Sequence, residues 1–261
     1  MADEYGLTNE DEKNGLKDFL YGARDTAADA VGNLFSELGI DNKQFEYIYK
    51  MPMGLEEGSD IPGAYDPGIY GIIVGRESEN VEDFLDDDGT EQTKIQNRLA
   101  ATVTHELVHS FQTVPSPFLE DSFDTVGNTV MGWTGLEEGM AEALGNIAVK
   151  KQLKNWGLEE TAKNLEDVCA ERDMPATQMS ARLIRKMKPE QLSWYLTCGQ
   201  TGEAKSNNKI KKAFGPSYEA FCQNMINLHD YECEINHLSD DTKKKLVEQT
   251  TKFIDNAMTQ E

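Results

Sequence analysis

Residues 90–112 hold the pattern that most limits how this chain can fold. Ile95, Leu99, Val103, Leu107 and Phe111 recur at every fourth position. That spacing predicts a long helix with one apolar stripe turned to a core. It stops at "TVPSPF" (113–118), because proline cannot continue a helix. Inside it lies "THELVHSF" (104–111), with two of the chain's four histidines and a glutamate directly after the first.

Helix geometry gives this octapeptide its chemical meaning. Positions i and i+4 lie about 40° apart around the axis, with Cβ atoms roughly 6 Å apart. His105 and His109 can therefore aim two imidazoles at one point without bending the backbone. Zinc takes ring nitrogens at about 2.0–2.1 Å, so the pair supplies two ligands. Glu106, one residue on, is rotated to the side, where a carboxylate can reach a metal-bound water without binding the metal. Two ligands plus a general base is what the pattern HExxH encodes. Random placement of four histidines in such a chain would produce it less than about once in a hundred sequences.

Catalytic zinc ordinarily has three protein ligands and one open position. A third histidine shortly after His109, preceded by glycine, is missing, since the chain reads "HSFQTVP" there. An upstream cysteine is missing too: Cys169, Cys198, Cys222 and Cys233 all follow the motif. The strongest candidate is "WTGLEEGMAEAL" (133–144), which begins its Glu138 after 28 intervening residues. Glu138 and Glu142 are four apart on an expected helix (134–153), so they face the same way. With Glu138 on the metal, Glu142 would accept a hydrogen bond from the second ring nitrogen of a ligand histidine, His105 first. Gly139, Ala141 and Ala143 are small enough to let this helix approach the HExxH helix closely. Glu137 would point about 100° away. Asp121 and Asp124 stand as alternative ligands in the intervening loop.

HELVH followed by EGMAE resembles the gluzincin metallopeptidases, zincins whose third ligand is a glutamate on the following helix. The resemblance rests on residues 105–109 and 138–142. It implies Zn²⁺ on His105, His109 and Glu138, Glu106 as general base, and hydrolysis of peptide bonds in a peptide or protein substrate. It also implies a sheet whose edge strand lies just before the active helix. "GAYDPGIYGIIVG" (63–75) fits that slot, and a peptide could pair along Ile69–Val74. Gluzincins usually add a Tyr or His from the C-terminal lobe to stabilise the oxyanion. Tyr218 in "GPSYEAFCQNM" is the first choice, followed by His229 and Tyr231 in "LHDYEC".

The rest of the chain predicts an α+β fold of zincin-like type. Residues 10–38 read as a helix through Leu16, Phe19, Leu20, Ala23, Ala27, Ala30, Val31, Leu34 and Phe35. "FEYIYKM" (45–51) and "IYGIIVG" (69–75) read as strands, 53–68 as a Gly/Pro/Asp loop and 81–89 as an acidic connection. After residue 112 the pattern is mainly helical and closes with an amphipathic helix over 240–258. The expectation is one catalytic domain, 1–261. Residues 1–112 would carry the N-terminal helix, small sheet and HExxH helix, and 113–261 a helical lobe with the third ligand.

Composition narrows the partners. The net charge of −22 comes from 47 acidic against 25 basic side chains, a surface that repels phosphate backbones. Nucleic acid is therefore excluded as an expected partner; the charge reads first as a solvated surface that keeps the chain soluble, and second as a surface suited to cationic partners. No run reaches the ~20 apolar residues of a membrane span, and the acidic start has no apolar core of a secretory leader. Four cysteines without CxxC spacing read as free thiols in a reducing, cytoplasmic setting. Two rivals share the same motifs. One is a zincin-fold scaffold whose zinc is structural; the other is a toxin-like or viral protease with a single target.

Overall fold

The computed structural model describes residues 15–37, 48–66, 69, 71–86, 91–112, 138–139, 141–143, 158–188, 190–192 and 211–259. It is a mixed α+β structure, mostly helical, with one small sheet among the described residues. The chain divides into two compact units. One takes in Met1–Ser116 and Leu144–Trp156, the other Pro117–Ala143 and Gly157–Glu261.

The first unit opens with α1 (Leu16–Glu37). Its stripe of Leu16, Leu20, Ala27, Ala30 and Val31 is buried, as the spacing requires. Arg24 is buried with it and donates from Nη1 to the Met51 carbonyl at 2.6 Å, tying the helix to the chain that enters the sheet. The sheet has the order β1-β3-β2, with β1 at Met53–Glu56, β2 at Ala64–Asp66 and β3 at Gly71–Gly75. β1 runs parallel to β3 with Met53 opposite Ile72, and β2 runs antiparallel with Tyr65 opposite Ile72. Two helices follow, α2 (Glu79–Asp86) and α3 (Gln92–Gln112). Along α3, Ile95, Leu99, Val103 and Leu107 are all buried. Helix α2 lies against α3 through the Arg98–Asp83 ion pair, and against α1 through Phe84 and Phe19, whose ring centroids are 5.3 Å apart.

Four sequence expectations differ from the structure here. Within the strand expected at 45–51, the described residues Ile48–Lys50 instead form a helical turn, with the Met51 amide donating to the Ile48 carbonyl, and 45–47 lie outside the described residues. The strand starts at Met53, inside the stretch that reads as a loop, because Met53 and Leu55 find buried places beside β3. Partner and burial outweighed the local glycine and proline signal. Residues 81–86 of the expected acidic connection lie in α2, held by the buried Val81 and by Phe84 against Phe19, and 87–89 lie outside the described residues. Finally, among the described residues Ile69–Val74 offers no sheet edge. Gly71–Gly75 is the central strand, flanked on both sides, and β2 is the outer antiparallel one.

The second unit is helical in its described residues. α4 (Leu158–Glu171) and α5 (Pro175–Lys186) form a tight pair. A 3-10 turn, Gly215–Ser217, leads into α6 (Tyr218–Glu232), and α7 (Asp240–Thr259) closes the chain. Arg182 of α5 bridges Glu166 of α4 and Asp255 of α7 at 3.0 and 3.3 Å. Residues 138–139 and 141–143 are helical and belong to this unit. Ala143 packs with Leu165, Cys169 and Ala181. No described helix is long and apolar enough to cross a membrane.

Candidate metal centre

The histidine pair lies on a stretch of α3 whose apolar side is buried. Val103, Leu107 and Val108 are fully buried around it. Thr104, buried as well, returns its hydroxyl to the Ala100 carbonyl at 2.8 Å, so it leaves no polar atom unsatisfied beside the histidines. With the backbone fixed in this way, the rings of His105 and His109 meet edge to face at 4.7 Å between centroids. Their Nε2 atoms are 3.0 Å apart. Two nitrogens at 2.0–2.1 Å from a tetrahedral zinc stand about 3.3–3.4 Å apart, so a small adjustment admits the ion.

A carboxylate completes the group. One ligand atom from each of His105, His109 and Glu138 lies within 4.8 Å of the others, and all three residues are half-buried. The three could hold a metal ion. Two imidazoles and one carboxylate form a donor set suited to zinc and other divalent first-row metals. Glu106, beside His105, is only 7% exposed, which is unusual for a carboxylate in so acidic a chain.

Around Glu138 the second unit is tightly built. A Cβ at Gly139 would stand 2.2 Å from Ser180 Cβ and 3.3 Å from the Thr177 carbonyl oxygen. The small residues of this helix thus serve its approach to α5 and α4: Gly139 meets Ser180, and Ala143 meets Ala181 and Cys169. Burial pushes the Cys169 thiol up to about 12, with the charges of Glu232 and Glu142 adding to it. Glu142 is half-buried. Asp121, Asp124 and Glu137, the other acidic candidates, lie outside the described residues.

No motif or spacing points to Glu232. Met174 precedes α5 at its N-cap and has no side chain able to cap it. Glu232, at the end of α6, fills the role. Its Oε1 accepts from the Thr177 amide at 2.9 Å and its Oε2 from the Thr177 hydroxyl at 3.3 Å. The helix terminus favours the negative charge, yet burial dominates and lifts the carboxyl to about 7, helped by the charge of Glu138. Only the missing cap at Met174-Pro175 could have suggested that a partner must come from elsewhere.

The three oxyanion candidates have different surroundings. Tyr218 is 8% exposed, packed edge-on to Phe214 at 6.4 Å, with Lys211 Nζ 5.3 Å from its ring centre. His229 has Nε2 3.5 Å from Cys233 Sγ and Nδ1 3.9 Å from Glu232 Oε2. The Tyr231 hydroxyl donates to Asp173 at 2.6 Å and accepts from Lys243 Nζ at 3.1 Å, which commits it to that cluster.

Comparison of the chain with family models, curated proteins and solved structures gives no match.

Proposed function

We propose that the chain is a zinc-dependent metallopeptidase of gluzincin type. The observation that carries the reading is the convergence of His105, His109 and Glu138 within 4.8 Å, with a buried glutamate next in sequence to the first histidine. A metal held only for stability has no use for a carboxylate at that position, whereas hydrolysis does.

Zn²⁺ would be held by His105, His109 and Glu138, and when bound it supplies a Lewis acid that acidifies water and polarises a peptide carbonyl. Glu106 takes the proton of the attacking water and delivers it to the leaving amine. Its burial suits that work, because a shielded carboxylate exchanges a proton with a reacting group in preference to bulk solvent. Glu142 orients a ligand imidazole through its second nitrogen. Tyr218 is the donor we assign to the developing oxyanion.

The test is metal analysis of wild type, Glu106→Gln and His109→Ala beside a peptide-library cleavage assay. The expected result is one equivalent of zinc in wild type and Glu106→Gln, little in His109→Ala, and cleavage by wild type alone. Full activity in Glu106→Gln would sink the mechanism. Bound zinc without any turnover in wild type would point to a scaffold.

A further inference from the structure

We infer that Gly63 is a positioning residue for Glu106, and that its missing side chain is what lets this carboxylate occupy its place. The inference rests on the proposed role of Glu106 as general base. Gly63 leads directly into β2, and β2 packs on α3. A Cβ built on Gly63 would stand 2.7 Å from Thr102 Cγ2, 2.9 Å from Glu106 Cγ and 3.2 Å from Glu106 Oε1. Thr102 and Glu106 are one turn apart on α3, so the glycine backbone presses into the notch between them.

Backbone freedom is not the reason for a glycine here. The described glycines with positive φ are Gly15, Gly58 and Gly215, and Gly63 is not among them. An alanine could adopt its conformation, and only space forbids it. The two walls of the notch differ in how they can yield. Thr102 is β-branched, which makes its rotamer stiff in a helix, and its Oγ1 accepts from the Asn80 side chain of α2 at 3.5 Å. Glu106 is unbranched and turns about several bonds. An added methyl group therefore displaces the Glu106 side chain, and the carboxylate travels with it. The histidines, held by the buried Val103, Leu107 and Val108, stay where they are.

The experiment has two independent readouts. Gly63→Ala should retain wild-type zinc content and KM while kcat falls about 10- to 100-fold, the cost of misplacing a reacting group by about 1 Å. Added to Glu106→Gln, the same change should slow the residual reaction no further. The second readout needs no activity. Gly63→Ala should lower Tm by about 3–8 °C, the scale of overpacking by one methyl. In a Glu106→Ala background, where Cγ is absent, the loss should shrink by half or more. If Gly63→Ala alone does not fold, Thr102→Ser beside it removes the nearer clash and leaves the one with Glu106, and the same comparisons apply. An undiminished Tm loss in the Glu106→Ala background overturns the inference, as does unchanged kcat in Gly63→Ala. Wild type that binds zinc and cleaves nothing overturns the peptidase reading instead, and the Tm comparison still decides the role of Gly63.

Discussion

Replacing Glu232 by glutamine should change how stability depends on pH, by an amount the structure fixes. The carboxyl titrates near 4.5 when unperturbed and at about 7 in the folded chain. Between those values the native state holds a proton that the unfolded state has released, so stability falls as pH rises through the window. At pH 5.5 the native carboxyl is mostly protonated and the unfolded one mostly ionised, a contribution of about 2 kcal/mol. By pH 8 both are ionised and the contribution is near zero. Glutamine is neutral throughout and keeps an acceptor for the Thr177 amide. Its stability relative to wild type should therefore rise by about 2 kcal/mol from pH 5.5 to pH 8, or about 4–8 °C in Tm. The assay is thermal unfolding of both proteins in paired buffers, with a chelator present so that Glu138 keeps the charge that helps to raise Glu232. A difference that stays constant within ~0.5 kcal/mol across that range would refute the account of Glu232 as a buried, proton-holding cap.

Other consequences follow from the packing and from the proposed chemistry. Gly139→Ala should cost about 1–3 kcal/mol, since its Cβ would meet that of Ser180 at 2.2 Å. Most of that loss should vanish beside Ser180→Gly once the cost of Ser180→Gly alone is subtracted, and additive effects in urea unfolding would argue against the contact. The same variant should weaken zinc binding in a competition titration, because the residue next to Glu138 has been pushed from α5. Tyr218→Phe should lower kcat about 100-fold with KM unchanged if its hydroxyl meets the oxyanion, and an unchanged kcat reduces it to a packing partner of Phe214.

What could be read from the sequence followed from periodicity. Leu16, Leu20, Ala23, Ala27, Ala30 and Val31 of α1 and Ile95, Leu99, Val103 and Leu107 of α3 are buried as their spacing selects, and the i, i+4 rule places His105 beside His109. Glu138 was legible for the same reason, as a paired carboxylate on a helix with small neighbours. What periodicity could not supply were contacts set by distant partners. β1 hides among Gly, Pro and Asp because its buried place beside β3 depends on residues about twenty positions away. α2 hides in its acidity because its apolar anchors are few, Val81 in the core and Phe84 against Phe19. The close approaches of Gly63 and Gly139 are glycines like any other in sequence, and only a neighbour's side chain gives them meaning. The small residues after Glu138 were expected to admit the HExxH helix, whereas in the described contacts Gly139 meets α5 and Ala143 meets α4 and α5.

The cap borrowed from α6 makes the start of α5 conditional. A helix with serine or aspartate before its first turn carries its own start signal and can fray and re-form alone. Helix α5 begins with Met174-Pro175, and the acceptor for its Thr177 amide arrives from a residue 55 positions later. That amide can be protected from solvent exchange only after α6 has docked. Its exchange rate is thus a built-in clock for assembly of the second unit: slow when α6 is seated, fast whenever it lifts away, and readable at one backbone position.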